Sequence, residues 1–156
     1  MSTKFTNSNA TLTPLSLLMQ TATRWVNRSV LSLMATKGYS GLTEPHLNLL
    51  ANLDCGITHA SAVAQQMGVS RQAIYRTTSE LQQLGILTLE EDPKKRNQKL
   101  IVMTELGMRL ALDARNVLNE IESELAERVG VAGITNLRTT LEAEWGDVLS
   151  GTDRDN

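Results

Sequence analysis

The chain has 156 residues, 41% of them hydrophobic and 21% charged, with one cysteine and a formal net charge of −2. That length suits one domain, or a small domain with helical extensions, and a single cysteine excludes an intrachain disulfide framework. The longest unbroken apolar run, Leu100–Met103, is far short of the roughly 20 residues of a membrane helix. The LSLLM stretch that follows the polar start is too short for a signal-peptide core, so a cytoplasmic setting is expected.

The charge is unevenly placed. Residues 1–55 and 56–110 each balance at +2, whereas residues 111–156 balance at −6. Aromatic residues make up only 3%, too few for a platform on which single-stranded bases would stack.

Residues 1–11, rich in Ser, Thr and Asn, read as a disordered tail. Thr13-Pro14 is a helix start, with a capping hydroxyl followed by proline at the first helical position. Leu15, Leu18, Met19, Ala22, Trp25, Val26, Ser29, Val30, Leu33 and Met34 then recur at steps of three and four, predicting one helix that ends near Lys37-Gly38. A second helix opens at Glu44-Pro45 with Thr43 as cap, turns Leu47, Leu50 and Leu53 inward, and breaks at Asp54-Cys55-Gly56. Ile57 suits a very short strand. Thr58 is the predicted cap of a third helix, His59 to Met67. Gly68-Val69-Ser70 is a tight turn, and Ser70 caps a fourth helix, Arg71 to Leu84. Its inner side is Ile74, Thr77 or Thr78, Leu81 and Leu84.

Ile86 to Glu90 and Lys99 to Met103 read as a strand pair around a polar turn. A long helix starts at Thr104-Glu105 with the stripe Leu106, Leu110, Ala114, Val117, Leu118, Ile121, Leu125 and Val129. Gly130-Val131-Ala132-Gly133 is a predicted break. A last helix carries Ile134, Leu137, Leu141, Trp145, Val148 and Leu149, and residues 151–156 read as a tail.

The informative stretch is 58–103. Two helices joined by a Gly-Val-Ser turn make a helix-turn-helix, with Val63, Val69, Ile74 and Leu81 expected to lock the pair. The start of the second helix then protrudes. An α-helix fits the major groove of duplex DNA, and its first residues reach base edges. Ser70, Gln72 and Arg76 suit bases or their vicinity, because Arg can fork onto guanine and Gln onto adenine. Arg71 and Tyr75 suit phosphates, although Tyr75 also fits a bland role covering its own helix. Glu80 points away from phosphate and is expected to be solvated or ion-paired. The hairpin turn places four cations, Lys94, Lys95, Arg96 and Lys99, within six residues and with no acid among them. Alone, such a cluster is more often a solvated turn that protects a strand edge. Beside a donor-rich helix it reads as a wing that reaches phosphates or a narrow minor groove.

LTEPHLNLLANL, AVAQQMGVSRQAIYRTTSELQQLGIL and the hairpin exit LIVMTELG resemble the MarR family of bacterial transcription regulators. The likeness covers about residues 12–149. It implies a mainly α fold with a small β-hairpin, a winged helix-turn-helix with N- and C-terminal dimerisation helices. It also implies a homodimer, double-stranded DNA bound as a near-palindrome, and often a small-molecule effector near the dimer junction. The corresponding division is a tail at 1–11, a dimerisation helix at 12–41, a DNA-binding domain at 42–104, dimerisation helices at 105–150 and a tail at 151–156. The wing departs from the family pattern. An Asp-x-Arg is usual there, its Arg seven residues before the Thr of Leu-Thr-x-x-Gly, and counting back from Thr104 reaches Lys95 and Asn97. Either the turn is one residue longer, with Arg96 as the wing arginine and Asp92 orienting it, or Asn97 marks an altered minor-groove finger.

Other constellations carry less. Cys55 lies beside Asp54, whose charge disfavours a reactive thiolate. His46 and His59 are 13 positions apart with no metal-ligand spacing. Asp54, His59 and Ser61 are triad types without a nucleophile elbow. No cofactor, metal or catalytic activity is expected. Met19 and Trp25 are effector-pocket candidates, although helical spacing favours packing. The apolar stripes of the first and last two helices exceed what a winged-helix core can cover, which argues for a dimer over packing within one chain. A protein-interaction module without DNA contact is the alternative function.

Overall fold

A computed structural model describes residues 12–54, 56, 58–95 and 98–149. The tails read at 1–11 and 151–156, the strand at Ile57, the thiol of Cys55, and the wing positions Arg96 and Asn97 lie outside the described residues. The order of elements is α1 (Leu15–Thr36), α2 (Glu44–Asp54), α3 (Ala60–Met67), α4 (Arg71–Gln83), β1 (Leu87–Glu91), β2 (Lys99–Met103), α5 (Glu105–Val129) and α6 (Val131–Glu142). The chain divides into two compact units after Leu118, within α5.

The first unit is built on helical periodicity. Met34, Leu49, Val63, Ile74, Leu81, Ile101, Leu110 and Val117 are each at most 1% exposed. In α2 the buried positions are His46, Leu49, Leu50 and Leu53, a stripe at steps of three and four. Leu47, expected inside, is only half-buried. Gly68 takes a left-handed conformation (φ +63°) that lets the chain leave α3 without a side-chain penalty. Ser70 then caps α4, its Oγ accepting from the Ala73 N–H at 3.1 Å.

The antiparallel β1–β2 pair has the register Leu87↔Met103, Leu89↔Ile101 and Glu91↔Lys99. A further bridge joins His59 to Leu100, and the Ile101 N–H donates to the Thr58 carbonyl at 2.9 Å. The hairpin is thereby fastened to the entrance of α3.

The hairpin exit follows from two residues. The Thr104 hydroxyl donates to the Gly85 carbonyl at 2.7 Å and accepts from the Gly107 N–H at 3.1 Å. It closes the turn and caps α5 at once. At Gly107 any side chain would overlap the carbonyl of Ile86, so the first turn of α5 lies closer to the residue that leads into β1 than a Cβ permits. Elsewhere in this unit the Tyr39 hydroxyl donates to Asp113 at 2.6 Å, which holds its pKa above the ordinary value.

Several expectations need correction. Pro14, not Thr13, stands at the cap of α1, and its carbonyl accepts from the Leu17 and Leu18 N–H groups. His59, not Thr58, stands at the cap of α3. Val69 and Leu84 are exposed, because each falls in a turn beyond its helix rather than on the packed stripe. The predicted break at 130–133 shrinks to Gly130 (φ +81°), since Gly133 is helical.

In the second unit, α6 ends at Glu142, before Trp145, Val148 and Leu149. It contains no buried residue, and Val131, Leu137, Leu141 and Trp145 are all exposed. Arg138 pairs with Glu122, and this pairing raises the pKa of the guanidinium. Among the described residues no helix is long and apolar enough to cross a membrane.

Candidate nucleic-acid interface

The Ser70 Oγ accepts the capping bond, which fixes the direction of the first turn of α4 and leaves the hydroxyl hydrogen to donate elsewhere. From that turn Arg71, Gln72, Tyr75 and Arg76 all reach solvent, Tyr75 at 60% exposure. Ile74, Thr77, Thr78 and Leu81 take the opposite side. One helix thus separates a packing face from a donor face, as its period of 3.6 residues requires.

Arg71 and Tyr75 share a cleft with the hairpin residues Leu89, Gln98, Lys99 and Ile101; its volume is about 560 Å³. Thr78 also lines it, and its buried hydroxyl oxygen has no hydrogen-bond partner among the described residues. The cations Arg71 and Lys99 therefore border one concave surface. Lys94 and Lys95 are exposed in the hairpin turn.

That turn is organised by Asp92. Its Oδ1 accepts from the Lys94 N–H at 2.7 Å, its N–H donates to the Gln98 carbonyl, and its carbonyl accepts from the Lys95 N–H. The other carboxylate oxygen, Oδ2, lies 2.8 Å from His59 Nε2, with the Asp92 side chain only 6% exposed. The His59 hydrogen bond, and then that from Lys94, holds the Asp92 carboxyl below its ordinary pKa. The suggested pairing of Asp92 with Arg96 lies outside the described residues.

A second polar chain runs behind the donor face. His46, at the start of α2, is buried. Its Nδ1 accepts from the Thr43 N–H at 3.2 Å, which assigns the proton to Nε2. Nε2 donates to Glu80 Oε2 at 3.0 Å, and Glu80 Oε1 accepts from Arg76 Nε at 3.0 Å. Glu80 is thus ion-paired as expected, and the two hydrogen bonds, Arg76 first, hold its carboxyl below its ordinary pKa.

Sequence reasoning passed over the connection of His46 to Glu80 and of His59 to Asp92. The partners are 34 and 33 positions apart, beyond any local period. A signal existed for His46 alone, since it extends the stripe of Leu49, Leu50 and Leu53. The effector candidates Met19 and Trp25 lie on α1, half-buried and exposed respectively, and neither lines the cleft beside α4.

No family model matches the chain. Solved structures do resemble it. A MarR-family transcriptional regulator from Rhodococcus sp. RHA1 is 25% identical, with a TM-score of 0.64 over 81% of this chain and 89% of that one. CouR from Rhodococcus jostii RHA1, solved with p-coumaroyl-CoA, is 24% identical, with a TM-score of 0.64 over 86% and 94%. A cysteine-to-serine mutant of MarR from E. coli, solved with operator DNA, is 15% identical, with a TM-score of 0.67 over 83% and 91%. Six helices and a two-stranded antiparallel hairpin among the described residues match these regulators: the chain is a winged-helix protein with the fold of the MarR-family transcriptional regulators.

Proposed function

We propose that the chain is a dimeric, sequence-specific double-stranded DNA-binding transcription regulator of the cytoplasm. The observation that carries this reading is the shared cleft of Arg71 and Tyr75 on α4 with Gln98 and Lys99 on the hairpin. A capped, protruding helix start and a basic turn next to it match the two features of a duplex, its grooves and its phosphates. Ser70, Gln72 and Arg76 are the proposed base or near-base contacts, and Arg71, Tyr75, Lys94, Lys95, Arg96 and Lys99 the proposed phosphate contacts. Asp92 holds the wing in shape. The E. coli MarR mutant solved with operator DNA supports the choice of duplex as ligand.

Dimerisation is supported by the uncovered apolar side chains of α6 and by Leu15, Leu17, Leu18 and Trp25, exposed on α1. Single exposed apolar residues are ordinary, but a stripe along a whole helix marks a contact surface. Residues 12–41 and 105–150 then serve as dimerisation segments around a DNA-binding part at 42–104. Two copies would place their α4 helices about one helical turn apart, roughly 10 base pairs. The p-coumaroyl-CoA bound to CouR supports a small-molecule effector here as well, with Met19 and Trp25 as candidate contacts.

Selection of bound fragments from random duplex DNA tests this. Enrichment of a two-fold-related motif is the expected result. No enrichment, with no retention on heparin, would favour the protein-interaction module instead.

A further inference from the structure

The geometry points to His46 and Glu80 as positioning residues that set the aim of Arg76 and thereby the base preference of α4. This rests on the DNA-binding reading above and adds to it a buried determinant of specificity.

Arg76 is 84% exposed on its helix. A side chain of that length in water samples many rotamers, and an exposed ion pair spaced by four residues seldom holds it. The order here, Arg before Glu, is also the less favourable one for a helix. What distinguishes this pair is its far end. His46 is buried, its ring is fixed by the Thr43 N–H, and it anchors the second oxygen of Glu80. The Glu80 carboxylate is therefore held from both sides, and it meets Arg76 through Nε.

The edge of the guanidinium carrying the two terminal nitrogens makes no hydrogen bond among the described residues. That is the edge with two parallel N–H groups, the geometry that forks onto a purine. A carboxylate behind the guanidinium also repels phosphate. Both effects steer Arg76 toward a base edge and away from the backbone. The ordering of the side chain is completed before DNA arrives, which lowers the entropic cost of the contact.

The test uses the full chain and two duplexes of equal length: the one selected from random DNA and its scrambled sequence. H46L should weaken binding to the selected duplex about tenfold, the scale of one misaimed bidentate contact, and leave the scrambled duplex unchanged. In an R76A background, H46L should add no further loss, as two residues acting through one contact require. H46Q, which keeps a donor toward Glu80, should restore most of the preference. E80Q is a second, surface variant; it should lower the ratio of selected to scrambled binding without lowering scrambled binding. A purely structural role gives a different pattern: both duplexes weaken together, or the losses from H46L and R76A multiply. Either overturns the inference while the DNA-binding reading stands. A wild-type chain that binds neither duplex sinks both.

Discussion

His59 Nε2 and Asp92 Oδ2 lie 2.8 Å apart and join the entrance of α3 to the turn of the hairpin. The bond spans 33 positions of sequence and makes the wing part of the helix-turn-helix rather than an appendage to it. The Asp92 carboxyl is held below its ordinary pKa by this bond and by the Lys94 N–H. Its folded-state value is thus below the unfolded one, about 3.9. The stabilisation is complete above that unfolded value and is lost as the pH falls through the folded one. D92N should lower the melting temperature at neutral pH and flatten the acid side of its pH profile. Thermal unfolding from about pH 3 to pH 7 covers the window; an acid limb of equal steepness in both proteins would show that Asp92 contributes nothing to it.

Among the described residues, the Ser70 Oγ is the acceptor for the Ala73 N–H at the exposed start of α4. S70A should therefore cost about 1 kcal/mol, the usual worth of a side-chain cap. Urea unfolding measures it. A change below a few tenths of that would mean that water replaces the hydroxyl without loss.

Two helical glycines should respond in opposite directions. At Gly107 an added methyl overlaps the carbonyl of Ile86, a backbone atom that cannot step aside. G107A should destabilise by about 1–3 kcal/mol, as overpacking does. At Gly133 the nearest atom to an added methyl is Val129 Cγ2 at 3.4 Å, an ordinary contact. G133A should stabilise α6 by about 0.5–1 kcal/mol through helix propensity. Denaturation midpoints of the two variants, read on opposite sides of the parent, are the expected result.

Lys94, Lys95 and Lys99 should each contribute to the salt dependence of DNA binding. Each phosphate contact releases counterions worth about 0.9 in the slope of log affinity against log salt. The triple alanine variant should lose roughly 2–3 units of slope if all three touch backbone. An unchanged slope would remove the wing from the interface.

Much of this molecule is legible in its residues because most of its elements are local. The Gly68 turn, the Ser70 cap and strand β2 follow from periodicity, capping and turn chemistry within a few positions. The exposure of Val69 and Leu84 was less accessible, because whether a turn residue packs depends on where the chain goes next. The run at 130–133 misleads for a similar reason. Gly130 has a positive φ and breaks the helix, whereas Gly133 does not, and composition cannot tell the two apart. The polar chains through His46 and His59 were invisible, since each closes between elements that only tertiary folding brings together.

The proposed function has residues 70–99 of the folded chain engage duplex DNA through grooves and phosphates. Equilibrium titration of a labelled selected duplex with the wild-type protein, at a series of salt concentrations, addresses it directly. Saturation at two subunits per duplex and a steep linear fall of log affinity with log salt are predicted, because several phosphates are neutralised at once. Absence of binding, or an affinity indifferent to salt, would contradict it.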